Sequence, residues 1–394
     1  MIILLQMPNE LKTKHKQMKL KTFALIIILC PFILIGQDLE EEINIAGFRF
    51  LDYNNKFPED FLSTKVAVFV SVPPPSRNTS ERGDWKGFSE MAHIQFRKMG
   101  IDAVAYYYMD DLKSGSDPAK YFANELKKRE IKNLILLSRV PLKIKGKVTE
   151  RTVVVVTPFN GENSFISNGQ KAWKTQAKDL EKVLKTMGKA IYRDKQPKTN
   201  FMVPDYAEYF TDADIIKGRR FPVYASDLKV DKLAIPKSSL VEIPESRPGG
   251  AINKNVEKEI IAYNKQVAIN QGKLESILKS YPLKYGFTEN LTEKELYLQE
   301  YQYVLLRINT TGVNIKQILD FKINPDETNY ITVKQKNGGV TMRNIPANAP
   351  VYKYYVKHLY TKDVYVGTKW DADETWEDAL VNFITKMKEE LKVK

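Results

Sequence analysis

Lys65-Val-Ala-Val-Phe-Val-Ser-Val72 decides the fold class. An almost unbroken apolar run of this length suits a strand covered on both faces, as in a buried parallel sheet. Working outward, the period changes. Asp84 to Met99 predicts a helix stopped by Gly100, and Asp102-Ala-Val-Ala-Tyr-Tyr-Tyr-Met109 a second strand. Ser116-Asp117-Pro118 marks a helix start, with proline at the first helical position, and that helix reaches about Glu130. Leu134–Leu137 and Thr152–Thr157 read as further strands. A long helix from about Lys171 to Tyr192 is expected to close the unit, because Trp173, Ala177, Leu180, Leu184, Met187 and Ile191 share one helical face. Strands separated by helices predict an α/β sandwich with part of its sheet parallel.

Residues 196–253 keep no sustained period, and proline and glycine recur from Pro197 to Gly250. The first α/β domain is therefore expected over 37–235, with 196–235 as an irregular extension and 236–255 as linker. The second domain, 256–394, opens with a helix over Val256–Ser280, bent at Gly272 and stopped by Pro282. Lys284–Phe287, Tyr303–Leu306 and Tyr330–Val333 read as strands, and Thr292 with Glu295 forms a capping box for the next helix. Val351–Val366 reads as a hairpin turning at Lys362-Asp363, and a last helix runs from about Asp373 to Leu391. Offsets of four, seven and eleven after Trp173 are apolar again after Trp376, at Leu380, Phe383 and Met387. Two α/β sandwich domains with mixed sheets and long closing helices, related as a diverged tandem repeat, are expected.

Residues 18–37, MKLKTFALIIILCPFILIGQ, read as a leader. Lys19 and Lys21 precede an apolar run from Phe23 to Ile35, followed by Gly36 and an acidic start. The run falls short of the roughly 20 residues a membrane-spanning helix needs, so a secretory signal peptide cut at Gly36/Gln37 is expected. Translation is expected from Met18, with 1–17 an over-extended start. Cleavage removes Cys30, the chain's single cysteine, and leaves the mature chain without a disulfide or thiolate. Net charge falls from +13 to about +9, since the removed part carries five lysines and one glutamate. The basic residues are spread without a block, which suits solvated faces and an acidic glycan or lipid surface. Nucleic acid is not an expected partner in that compartment.

Tyr354-Tyr-Val-Lys-His-Leu-Tyr-Thr-Lys-Asp-Val-Tyr-Val-Gly-Thr-Lys-Trp370, followed by an amphipathic helix, resembles the end of TolB N-terminal-like domains. Those small envelope α/β modules finish with a hairpin and a long helix. The resemblance covers about 110 residues of the second unit and, more loosely, the first. The leader ending in Gly-Gln is similar to those of Bacteroidetes-type envelope proteins. The resemblance implies an assembly or binding role without catalysis, in the periplasm or at the outer envelope, with another envelope protein as partner.

Catalytic chemistry has little to draw on. The histidines are His15, His93 and His358, with no HExxH, and no GxSxG elbow is present. No catalytic residue, metal or cofactor is expected. The best ligand candidate is the loop Pro73–Asp84, at the carboxyl end of the first strand and the start of a helix. There Ser76, Asn78 and Thr79 offer hydrogen bonds and Arg77 and Arg82 offer charge to an anion. Three consecutive prolines stiffen the loop, and no glycine-rich phosphate motif is present. Asp110 and Asp111 read as solvated loop acids. Asp371, Asp373, Glu374, Glu377 and Asp378 read as acids opposing the dipole of the last helix. Tyrosines within 201–224 are the interface candidates. The function expected is non-catalytic binding or assembly of envelope components; the alternative is a flavodoxin-like ligand-binding or hydrolytic module using residues 73–84.

Overall fold

The computed structural model describes residues 47–394 except 74–82, 113, 145–146, 201–203, 211–214, 244–253, 290, 325 and 337–338. The architecture is α/β, built on two large mixed sheets. In the first sheet β1 (Asp52–Asn54), β2 (Lys65–Ser71), β3 (Asp102–Tyr108), β4 (Asn133–Ile144), β5 (Lys147–Pro158), β6 (Lys171–Ala177) and β7 (Tyr209–Phe210) take the order β1-β6-β5-β4-β2-β3-β7. The apolar run of β2 is central and buried on both sides. Val66, Val68 and Val70 face α1 (Trp85–Met99). Ala67 and Phe69 face α2 (Ser116–Lys128), whose Phe122 and Leu126 share their core.

Lys171–Ala177 is a strand, and the closing helix α3 begins only at Leu180 and ends at Asp194. This corrects the helix expected from Lys171. Trp173 pairs with Val156 of β5 and Asn54 of β1, and its ring stacks on Phe57 at 4.3 Å. The helical stripe running back to Trp173 was a coincidence of spacing; Asp179, whose carboxylate accepts from Lys182 N, is the true cap.

The second sheet contains β8 (Arg220–Phe221), β9 (Lys232–Pro236), β10 (Tyr285–Thr288), β11 (Tyr301–Thr311), β14 (Pro350–His358) and β15 (Val364–Tyr365), in the order β10-β9-β11-β14-β15-β8. The chain thus passes between sheets after Phe210, and Lys232–Pro236, expected within the first unit, is an inner strand of the second sheet. Its helices are α4 (Lys254–Leu278), α5 (Glu293–Leu298), α6 (Gly312–Ile318) and α7 (Trp376–Leu391). Between β11 and β14 lie α6 and a separate hairpin of β12 (Asn329–Lys336) and β13 (Gly339–Pro346).

The two sheets share one topology. Reading β1-β6-β5-β4-β2-β3 against β8-β15-β14-β11-β9-β10 gives the same strand order and the same parallel and antiparallel pairings. Register agrees as well. The lateral row Ile135–Val156–Trp173–Asn54 matches Leu305–Val356–Tyr365–Phe221. One offset of 167 positions carries Asn54 to Phe221, Phe57 to Tyr224, Asp60 to Asp227, Lys65 to Lys232 and Ala67 to Ala234. Trp173 and Trp376, the residues on which a repeat was expected, are not equivalent: one sits in a strand and the other opens a helix.

The inner face of the second sheet adds Ile308, Val351, Tyr355 and Val364 to the core that holds α2. Lys357 Nζ pairs with Asp117 of α2 at 2.9 Å, and the Tyr355 hydroxyl donates to the same carboxylate at 3.2 Å. On the outer face Tyr352, Tyr354 and Val356 pack against Trp376, Leu380, Phe383 and Met387 of α7. Among the described residues no helix is long and apolar enough to cross a membrane.

Candidate functional site

Ser76, Arg77, Asn78, Thr79 and Arg82 lie outside the described residues, as do Gly36 and Gln37. The structure does fix the two ends of the loop at 73–84. They are pinched together: a Cβ on Gly83 would sit 2.4 Å from the Pro73 carbonyl oxygen, so only glycine fits there.

A concavity among the described residues lies elsewhere. α1 and α3 lie side by side on the first sheet and leave a groove of about 1080 Å³ between them. Each helix carries two stripes. On α1, Trp85, Phe88, Ala92 and Phe96 are buried in the core, while Met91, Ile94, Gln95 and Lys98, also at helical spacing, face the groove. Met91 is 54% and Ile94 55% exposed. On α3, Val183 and Met187 point to the sheet, and Leu180, Lys185, Gly188 and Tyr192 line the other wall. Leu62, Met99, Leu184 and Ile191 complete the apolar lining. Both helices run antiparallel to parallel strands, so their carboxyl ends meet at one end of the groove.

That end is closed by the segment following α3. Gln196 Nε2 donates to the Pro58 carbonyl at 2.7 Å, Thr199 N to the Leu62 carbonyl at 3.4 Å, and Asn200 Nδ2 to the Gly100 carbonyl at 3.3 Å. Lys195 and Lys198 of this strap line the groove together with Lys98 of α1 and Lys185 of α3. None of the four has an ion-pair partner among the described residues, whereas neighbouring Arg97 pairs with Asp205 and Lys182 with Asp179. Glu181 is the acidic lining residue. The groove therefore offers aliphatic and thioether surface under a cationic rim.

Several of the titratable groups singled out in the sequence are buried in packing. His93 is buried beneath α1. Its Nε2–H donates to the Pro204 carbonyl at 3.0 Å, which leaves Nδ1 to accept from the Tyr106 hydroxyl at 2.8 Å. Burial, reinforced by the charge of Arg97, lowers its pKa despite the pull of the Pro204 carbonyl. Asp111, expected in solvent, is buried in the helical turn Met109–Leu112. Asp371 and Asp373 precede α7 and are buried, so they are not acids of its first turn; Glu377 and Asp378 are. Asp373 accepts from Arg343 at 2.7 Å and from Asn382 at 3.1 Å. Burial raises the Asp371 carboxyl above the usual range while Lys353 and Tyr224 pull against it. Of the tyrosines in 201–224, Tyr224 is buried and Tyr206 exposed. Among the described residues no group of three or more His, Cys, Asp or Glu side chains is placed to hold a metal ion.

Comparison with known proteins finds no family model, no curated protein and no solved structure that matches the chain. The groove residues were missed in the sequence, although one signal was there: Met91 and Ile94 form a second apolar stripe on a helix whose core stripe is already complete.

Proposed function

We propose that this is an exported, non-catalytic binding protein that docks another component of the cell envelope in the groove between α1 and α3. The observation that carries it is the pair of exposed side chains Met91 and Ile94 lining, together with Leu180, a half-open groove whose rim lysines have no ion-pair partner among the described residues. Apolar surface of this kind costs solubility unless something covers it. The leader-like residues 18–37 and the TolB-type hairpin and helix at 354–391 support the compartment and the role.

The test is expression with residues 1–36 in a diderm bacterial host, followed by fractionation and peptide mass spectrometry. The protein should be found outside the cytosol, starting at or within a few residues of Gln37. Immobilised on a resin, it should retain an envelope component that an Ile94→Asp variant releases. Cytosolic protein with an intact Cys30 peptide would overturn the assignment, as would retention indifferent to Ile94.

A further inference from the structure

We infer that the occupant of the groove is an acidic amphipathic α-helix of a partner protein; this rests on the binding role proposed above. Shape argues for a helix. The walls are two helices running in the same direction, and a third can lie between them with its side chains in their grooves, at the usual 8–10 Å interaxial spacing. From Leu180 to Tyr192 the wall of α3 extends about 18 Å at 1.5 Å per residue, room for three turns. The groove is half open to solvent, whereas a site for a small apolar ligand encloses most of it. A helix with one apolar face fits such a half-open trough, because its polar face is meant to stay wet.

Charge argues for an acidic partner. Lys98, Lys185, Lys195 and Lys198 outnumber Glu181 on the rim, and none of those lysines is neutralised from within the described residues. The second half of the molecule shows how the equivalent cleft is satisfied. There α4 and α7 are bridged by Lys273 and Glu377 at 3.0 Å, and Leu274 and Leu278 pack with Trp376 and Leu380. In the first half both walls present lysine, and among the described residues no ion pair joins Glu181 or any other acid across the groove. The missing carboxylates must come from the partner, near the carboxyl ends of α1 and α3. That placement leaves Met91, Ile94 and Leu180 to take its apolar face.

The probe is a synthetic peptide of about four helical turns, with leucine at i, i+3, i+4 and i+7 spacing and glutamate on the other face. Two controls accompany it: a scramble of the same composition, and the same pattern with lysine for glutamate. Fluorescence anisotropy with the full mature chain should show saturable binding of the acidic amphipathic peptide alone, weakening as salt is raised. The double variant Lys98→Glu/Lys195→Glu should weaken it by about tenfold or more, and Ile94→Asp should do likewise, with circular dichroism unchanged in both. Equal binding of the scramble, or binding indifferent to these variants, overturns the inference. So does capture of anionic phospholipid vesicles through the same residues when the peptide is ignored. Retention of an envelope component that depends on Ile94, without peptide binding, would remove the helix and leave the binding role standing.

Discussion

Lys353 Nζ lies 2.7 Å from Asp371 Oδ1, with the two side chains 0% and 1% exposed. The ammonium also donates to the carbonyls of Tyr354 at 2.8 Å and Val366 at 2.9 Å, and the other Asp371 oxygen accepts from the Tyr224 hydroxyl at 2.9 Å. The lysine thus ties the segment after β15 to β14. Removing one partner strands the other charge in a dry interior. Lys353→Met is expected to cost about 3–5 kcal/mol, and the double change Lys353→Met/Asp371→Leu to recover much of it. Urea denaturation of both variants checks this; a double variant no better than the single would mean the pair holds the segment by more than charge balance.

The sheets were legible where burial is simple. β2 is covered on both faces, and an unbroken apolar run has no other economical reading. The β6–α3 boundary was not, because Trp173 and Ala177 fall by chance in phase with the stripe of Leu180, Leu184, Met187 and Ile191. The lateral neighbours Val156 and Asn54 that make Trp173 a strand residue are remote in sequence. The shared topology was visible only in a diluted form. Phe57, Asp60, Lys65 and Ala67 meet Tyr224, Asp227, Lys232 and Ala234 at one offset, but the offset has already shifted where Ile135 of β4 meets Leu305 of β11, and it shifts again across α6 and the β12–β13 hairpin, where Val156 meets Val356. The groove is a relation between two helices. Neither helix alone shows that Met91 and Leu180 line one groove.

His93 makes stability depend on pH. Its folded pKa is depressed, so the native state holds the neutral ring more firmly than the unfolded chain does. Below the unfolded value, near 6.5, the unfolded state takes up a proton that the native state resists. The contribution of His93 is therefore complete above that value and is lost as pH falls from about 6.5 through the folded pKa. Protonation would also place a donor on Nδ1 against the Tyr106 hydroxyl, which must turn to accept it. Unfolding free energies measured between pH 7.5 and 5 should fall more steeply for the native sequence than for His93→Gln. Parallel curves would show that the ring is not the titrating group.

Phe57 and Trp173 close the edge of the core under α3, with Phe61 stacked on Phe57 at 5.4 Å. Trp376 occupies the corresponding layer of the second half, buried against the outer face of its sheet. Trp173→Ala and Trp376→Ala should each cost about 3–5 kcal/mol, because neither site can collapse around the space left by an indole. Denaturant midpoints of the two variants test both halves. A loss below about 1 kcal/mol at either would mean that half is held together from elsewhere.

The two stripes of α1 give the sharpest contrast in the molecule. Phe88 and Phe96 lie against the sheet at 1% and 0% exposure, while Met91 and Ile94 stand half in solvent on the adjoining face. An aspartate in place of Phe96 buries a charge without a partner and should prevent folding. Ile94→Asp removes no core contact, and in the free protein it should shift the unfolding free energy by no more than about 0.5 kcal/mol. Since Ile94 is a poorer helix former than Gln95 and Lys98 beside it, nothing in helix propensity argues for an isoleucine there. If Ile94→Asp or Met91→Asp unfolds the protein, these side chains belong to its own core and the groove is not a surface held for a partner. If both variants fold and melt as the native chain does while losing the acidic peptide, the second stripe exists for binding.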